Sequence, residues 1–165
     1  MKLPPDWNDL LALLCAERVR FVIVGAHALA VHGRPRATGD LDIFVEPSLE
    51  NASRLGAALA AFGFPALSRR VRMFAEPGRM ATLGRPPLRI DLLTGISSVS
   101  FARAWAGRVK VRVGRYQVGF LGRREFVANK RAAGRPKDLL DLALLEEARP
   151  RRHGASRSRR RSGGR

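Results

Sequence analysis

Two short apolar runs, the second of which carries two acids at alternate positions, constrain the fold of this chain most strongly. Residues 21–24 form an apolar run that leads into Gly25-Ala26, and residues 41–45 form a second run that begins beside Asp40 and also contains Asp42. Side chains two residues apart on a strand point to the same face of a sheet. We therefore expect both carboxylates to project from one face, while the alternating apolar side chains face a core.

A third acid, Asp91, lies inside the apolar run 88–93, where an unpaired charge would be costly. If that run is a strand beside 41–45, Asp91 joins the other two carboxylates. Neighbouring carboxylates repel, and each pKa rises unless a cation lies between them. Three carboxylates suit two Mg²⁺ ions, with Mn²⁺ as an alternative. The residues alone also allow solvated acids at a strand edge, or pairing of Asp91 with Arg89.

The remaining pattern predicts an α/β or α+β fold, a small mixed sheet flanked by helices with further helices at the C-terminus. Asp6 is the expected N-cap of the first helix. The predicted helices are 7–17, 26–31, 48–62, 123–132 and 136–148. The predicted strands are 20–24, 41–45, 71–74, 80–83, 88–93, 110–113 and 116–121. We expect one domain, 1–148, followed by a disordered Arg-rich tail, 149–165.

Charge indicates polyanionic partners. The chain of 165 residues carries a formal net charge of +17, and residues 149–165 contribute eight Arg and no acid. A basic surface attracts nucleotides and RNA through a field that salt screens. The sequence has no apolar run of about 18 residues and no signal-peptide pattern, so a cytoplasmic protein without membrane association is expected.

The order of these motifs resembles the nucleotidyltransferase superfamily that includes DNA polymerase beta. Gly25-Ala26 after a strand, Asp40-x-Asp42 on the next strand and a later Asp91 carry the resemblance, although Ser or Gly is usual where Ala26 stands. Small prokaryotic members related to the abortive-infection type toxins are the most similar. The resemblance implies metal-dependent transfer of a nucleoside monophosphate from a nucleoside triphosphate such as ATP to a hydroxyl acceptor. The acceptor could be RNA or tRNA, a protein or a small molecule. A toxin of this group would have a cognate antitoxin protein as a partner.

The resemblance also implies roles for individual residues. Asp40, Asp42 and Asp91 would be the catalytic, metal-binding set. The segment 129–142 is similar to part of the toxin-like group, in which a Lys meets the triphosphate. The residues expected to bind nucleotide are Gly25, Ala26, Arg36, Thr38, Lys130, Arg135, Lys137 and Asp138. Lys130 would meet the triphosphate, Arg135 or Lys137 would assist it, and Asp138 would orient these basic side chains or line the pocket.

Two other classes of function stay open at this point. One is a nucleotide-binding or partner-binding module that keeps the fold without turnover. The other is a basic nucleic-acid-binding protein whose acids are incidental. Asp138 and Asp141 are also compatible with a solvated helix surface that offsets neighbouring basic residues.

Overall fold

One mixed six-stranded sheet organises the protein, which is described here by a computed structural model covering residues 3–147. The strands are β1 Phe21–Ile23, β2 Asp40–Val45, β3 Met80–Arg85, β4 Leu88–Leu93, β5 Val109–Val113 and β6 Tyr116–Phe120. The helices are α1 Pro5–Ala16, α2 Gly25–Val31, α3 Leu49–Ala61, α4 Pro65–Ser68, α5 Phe101–Ala106, α6 Arg123–Ala133 and α7 Pro136–Glu147, with a 3-10 helix at Val71–Ala75. The predicted fold class is confirmed. The expected tail, 149–165, lies outside the described residues. Within 3–147, no helix is both long and apolar enough to cross a membrane.

The strand order β3-β4-β2-β1-β6-β5 puts the two acid-bearing strands next to each other. Strand β2 runs parallel to β4, and Asp42 is the Cα partner of Asp91, while Asp40 is the partner of Arg89. The other neighbour of β2 is β1, which pairs with it antiparallel. The predicted neighbourhood of the two strands is therefore confirmed, and Asp42 and Asp91 are in register.

Each face of the sheet packs on its own apolar cluster, because side chains alternate along the strands. Leu41 and Ile43 are fully buried in the cluster that α1 and α3 cover, as the alternation predicted. Phe44 belongs to the second cluster, which contains residues of α2, α5, α6 and α7. Asp40 and Asp42 alternate along β2 with Leu41 and Ile43, so they lie on the same face of the sheet as Phe44. Asp40 and Asp42 are half-buried there, at the start of the strand.

Two local predictions are wrong, and two short helices were not predicted. The predicted strand 71–74 is part of a 3-10 helix whose Phe74 is fully buried. This 3-10 helix packs against α3 and not against a strand edge. The packing is close, since a Cβ added to Gly56 of α3 would lie 3.2 Å from Val71 Cγ1. The short helices α4 and α5 were not predicted, since four and six residues show little periodicity. The N-cap of α1 is Pro4, and Asp6 lies in the first turn.

Candidate active site

A cavity of about 740 Å³ lies against the acidic face of β2 and β4. Its size is within the usual range for small-molecule sites. Its wall includes ten of the predicted site residues: Gly25, Ala26, Arg36, Thr38, Asp40, Asp42, Asp91, Lys130, Arg135 and Lys137. The eleventh, Asp138, does not line the cavity but is fully buried and in contact with Lys130 and Arg135. The fold thus brings together side chains that are more than 100 residues apart in the sequence.

Asp42 occupies the space that Gly25 leaves free. Gly25 begins α2 with φ +62°, and a Cβ built there would lie 2.0 Å from Asp42 Oδ2. The absent side chain therefore admits the carboxylate as well as permitting the left-handed backbone. Burial raises the pKa of Asp42 above its ordinary value, and the charges of Asp91 and Asp40 raise it further. A cation at this carboxylate would relieve the repulsion.

Asp91 is oriented by a hydroxyl from the next strand. The residue is 8% exposed, and Thr82 Oγ1 on β3 donates a hydrogen bond of 2.6 Å to Asp91 Oδ1. The antiparallel pairing of β3 with β4 makes Thr82 the direct partner of Asp91. One carboxylate oxygen is thus held by the protein, while Asp91 remains part of the cavity wall. The sequence analysis missed Thr82, because only the strand register identifies it.

Asp40 is held by Arg89 and not by a second acid. Arg89 Nε donates to Asp40 Oδ1 at 2.8 Å, and this hydrogen bond is the main cause of the lowered pKa of Asp40. Arg89, which the sequence allowed as a partner of Asp91, thus pairs with Asp40 instead. Thr38 supports the start of β2, where its Oγ1 accepts a hydrogen bond of 3.2 Å from the Asp40 backbone N–H.

A buried charge network joins α6, α7 and the loop before β2. Lys130 Nζ lies 2.7 Å from Asp138 Oδ1 and 2.8 Å from Asp141 Oδ2, and both carboxylates are inaccessible to solvent. Arg135 Nε contacts Asp138 at 2.6 Å, and Arg36 Nε contacts Asp141 at 2.7 Å. Each buried acid therefore has two cationic partners, an arrangement that compensates the cost of taking charges out of water.

The two acids of α7 remain ionised despite their burial. Burial alone would raise the pKa of Asp138, but hydrogen bonds from Arg135 and Lys130 outweigh it and bring the pKa to about 2. Burial likewise opposes the lowering of the Asp141 pKa, which hydrogen bonds from Arg36 and Lys130 cause. The surface-helix interpretation of these two residues is wrong. The i, i+3 spacing of Asp138 and Asp141 was the available signal, since such residues share a helix face.

Lys137 differs from the other cations of the cavity wall. Arg36, Arg89, Lys130 and Arg135 each contact a carboxylate. The side chain of Lys137 is exposed, and within residues 3–147 its ammonium makes neither a hydrogen bond nor an ion pair. Its charge nevertheless lowers the pKa of Asp40 and opposes the raised pKa of Asp42. Lys137 is therefore the wall cation whose ammonium is available to an incoming anion.

The rest of the wall is apolar or uncharged. Met80, Leu93 and Ile96 contribute apolar surface, with Ser97 and Asn129 beside them. Asn129 Nδ2 donates to the Ser97 carbonyl oxygen at 3.1 Å, which links α6 to the segment after β4. Sequence analysis did not single out these residues, because nothing in their local pattern distinguishes them from ordinary helix and strand positions.

The donors present fit a hard divalent cation, because carboxylate oxygens are the ligands that Mg²⁺ prefers and Asp42 and Asp91 are adjacent in register. Burial is the main cause of the raised pKa of Asp42, and the charges of Asp91 and Asp40 add a repulsion that a cation would relieve. With Asp40 bound to Arg89, the described residues contain no group of three or more His, Cys, Asp or Glu side chains arranged to hold a metal ion. A site with three carboxylates would include Asp40, whose Oδ1 accepts the hydrogen bond from Arg89.

Comparisons with known proteins give similarities of structure but none of sequence. No protein-family model matches the chain, and no curated protein sequence matches it. The fold is similar to the crystal structure of a "putative nucleotidyltransferase" from Thermotoga maritima, with 14% identity and a TM-score of 0.49 over 88% of this chain and 94% of that one. A similarity at this level is no guide to activity or substrate.

Proposed function

We propose that the protein is a metal-dependent nucleotidyltransferase that moves a nucleoside monophosphate from a nucleoside triphosphate to a hydroxyl acceptor. The observation that carries this proposal is a single cavity lined by both kinds of group that the chemistry requires. Three strand-borne carboxylates, Asp40, Asp42 and Asp91, lie in its wall together with basic side chains. Carboxylates alone would favour a metal site, and cations alone an anion site, whereas their combination favours a metal-bound polyphosphate.

In the proposed reaction, the acceptor hydroxyl oxygen bonds to the α-phosphorus while the bond from that phosphorus to the leaving pyrophosphate breaks. The hydroxyl proton passes to a carboxylate, for which Asp91 is our candidate because Thr82 orients it at the cavity wall. Asp42 and Asp91, joined by Asp40, would hold Mg²⁺, which neutralises the charge of the phosphates.

For the triphosphate contact we propose Lys137 in place of Lys130. Lys130 is 4% exposed, and its ammonium is bound between two buried carboxylates. Moving it toward a phosphate would leave those carboxylates with less compensation, at a high desolvation cost. Lys137 can approach a phosphate without breaking an ion pair. Lys130 and Asp138 would then keep α6 and α7 in place behind the site, and Gly25, Ala26, Arg36, Thr38 and Arg135 would shape its wall.

RNA is the acceptor class that we propose first, because a formal net charge of +17 favours a polyanionic partner. A tRNA end, a protein hydroxyl or a small molecule are the other candidates. The toxin role and the antitoxin partner stay predictions from the motif resemblance. They would be tested by asking whether expression arrests growth and whether a neighbouring gene product relieves the arrest.

The decisive experiment measures transfer of label from each α-labelled nucleoside triphosphate to RNA with Mg²⁺ present. Asp42→Asn and Asp91→Asn should each abolish transfer, while Asp9→Asn, an exposed acid on α1, provides the matched control and should transfer like wild type. Wild-type transfer that survives in both cavity variants would contradict the proposal. The absence of transfer to RNA, protein extract and small hydroxyl compounds alike would contradict it too.

A non-catalytic nucleotide-binding module is the second candidate, and one observation favours it. Asp40 is paired with Arg89 at 2.8 Å, and the described residues contain no group of three or more His, Cys, Asp or Glu side chains arranged to hold a metal ion. Calorimetry with each nucleoside triphosphate and Mg²⁺ separates the two candidates. Binding that requires Asp42 and Asp91 but is never followed by transfer favours the module.

A further inference from the structure

Arg89 is a cation that lies in the cavity wall together with the three acids. The parallel register makes it the direct strand partner of Asp40, two residues before Asp91 on the same face of β4. Its Nε donates a hydrogen bond to Asp40 Oδ1. This hydrogen bond is the main cause of the raised pKa of Arg89, to which the charges of Asp91 and Asp42 also contribute. Within the described residues, its two terminal nitrogens form no hydrogen bond. The side chain thus has donors left while it lies in the cavity wall.

We propose that Arg89 is an exchangeable counter-ion of Asp40, which a divalent cation displaces and which then binds a phosphate of the substrate. This inference rests on the proposed function, because it assumes that the three carboxylates receive a metal. It assigns Arg89 two successive partners, first Asp40 in the free protein and then a phosphate oxygen once the metal is bound.

The exposure of the Arg89 pair makes the exchange possible. The side chains of Arg89 and Asp40 are 41% and 36% exposed, so water and salt screen their attraction. The Lys130 pairs on the same cavity wall show the opposite case, with side chains 5% and 0% exposed. The Arg89–Asp40 contact is therefore easily broken, whereas the Lys130–Asp138 contact is not. The breakable contact is the one that engages Asp40, the third acid of the cavity wall.

Arg89 is also suited to its second partner. A guanidinium presents five N–H donors in a planar fork that matches the oxygens of a phosphate. Only Nε is used in the contact with Asp40, so the side chain needs a small movement and no change of protonation to meet an anion. Metal and nucleotide would consequently bind cooperatively, since the metal releases the group that the phosphate uses.

The first test measures Mn²⁺ binding alone by calorimetry, with circular dichroism to verify folding. Arg89→Gln should bind Mn²⁺ tighter by about fivefold or more, the lower end of ordinary coupling between sites. Arg89→Lys, which keeps the charge, should stay near wild type. Arg85→Gln removes the same charge from an exposed position on β3 outside the cavity wall and should leave the affinity unchanged. In an Asp40→Asn background, Arg89→Gln should give a several-fold smaller gain.

The second test measures inorganic triphosphate binding at saturating Mn²⁺, where Arg89→Gln should weaken affinity by about fivefold or more while Arg85→Gln should not. Displacement of Arg89 by the cation would be contradicted if Arg89→Gln left the Mn²⁺ affinity unchanged. It would also be contradicted if Arg89→Gln gave the same gain in the wild-type protein and in Asp40→Asn. Unchanged triphosphate affinity would overturn the second role. Wild-type protein that binds no Mn²⁺ overturns the metal-dependent function itself, an outcome distinct from wild-type binding that Arg89 does not influence.

Discussion

Replacing Gly25 by Ala should damage both stability and metal binding, and the size of the effect follows from two separate costs. The first is the left-handed backbone, φ +62°, which costs a residue with a Cβ about 1–2 kcal/mol. The second is the contact with Asp42 Oδ2, where the added Cβ would lie at 2.0 Å. The carboxylate or the backbone must move by roughly 1 Å, and such overpacking typically costs about 1–3 kcal/mol more.

Gly114→Ala provides the matched control for this substitution. Gly114 has φ +57° in the turn between β5 and β6, and no atom of residues 3–147 lies within 4 Å of its built Cβ. It therefore carries the backbone cost alone. Gly25→Ala should lose at least about 1 kcal/mol more of the free energy of unfolding than Gly114→Ala, or about 2–4 °C more in Tm.

Urea unfolding followed by circular dichroism measures the difference, and Mn²⁺ calorimetry measures the site. Because Asp42 must give way, Gly25→Ala should also lose Mn²⁺ affinity, whereas Gly114→Ala should keep it. A Gly25→Ala protein that is as stable as Gly114→Ala and binds Mn²⁺ like wild type would refute the reasoning. It would mean that Asp42 has an equally good position that does not use the space above Gly25.

The other predictions concern one group each. Because the pKa of Asp138 is about 2 in the folded protein and about 3.9 in an unfolded chain, it stabilises the fold at neutral pH. That contribution, about 2–3 kcal/mol, should disappear as pH falls from about 5 to about 1, and acid titrations of the free energy of unfolding should show a shallower loss in Asp138→Asn. Thr82→Val removes the hydroxyl donor to Asp91 and should cost about 1 kcal/mol of the free energy of unfolding. It should lower turnover more than nucleotide affinity. Turnover and Kd equal to those of the wild type would argue against an orienting role for Thr82. Lys137→Gln should weaken nucleotide binding about tenfold in calorimetry, whereas Lys110→Gln on β5 should not, and equal affinities would exclude Lys137 as a phosphate contact.

The alternation of residues along β2 was sufficient to predict one acidic face and one apolar face. Asp40 and Asp42 alternate with Leu41 and Ile43, and this period of two is a local property of any strand. Both apolar residues are fully buried, as predicted. The segment 71–74 shows where local pattern fails, because a short apolar run suits a strand and a buried turn of helix equally.

The site could be predicted only as a set of residue types. Ten predicted residues line one cavity, yet the sequence did not show that Lys130 lies between Asp138 and Asp141 or that Lys137 remains exposed. A basic residue has the same local pattern whether it is buried in an ion pair or open to a ligand. Burial and partner choice are properties of helix packing, here of α6 against α7.

Strand periodicity, acid spacing and the concentration of positive charge depend only on neighbouring residues, so they could be predicted without the structure. The tertiary structure alone decided which acid meets which cation. Arg36 and Asp141 are 105 residues apart and Arg89 and Asp40 are 49 apart, and the second pair exists because β4 lies parallel to β2 in one register. A slip of one residue would turn Arg89 and Asp91 to the other face of the sheet, so the register determines the chemistry of this cavity.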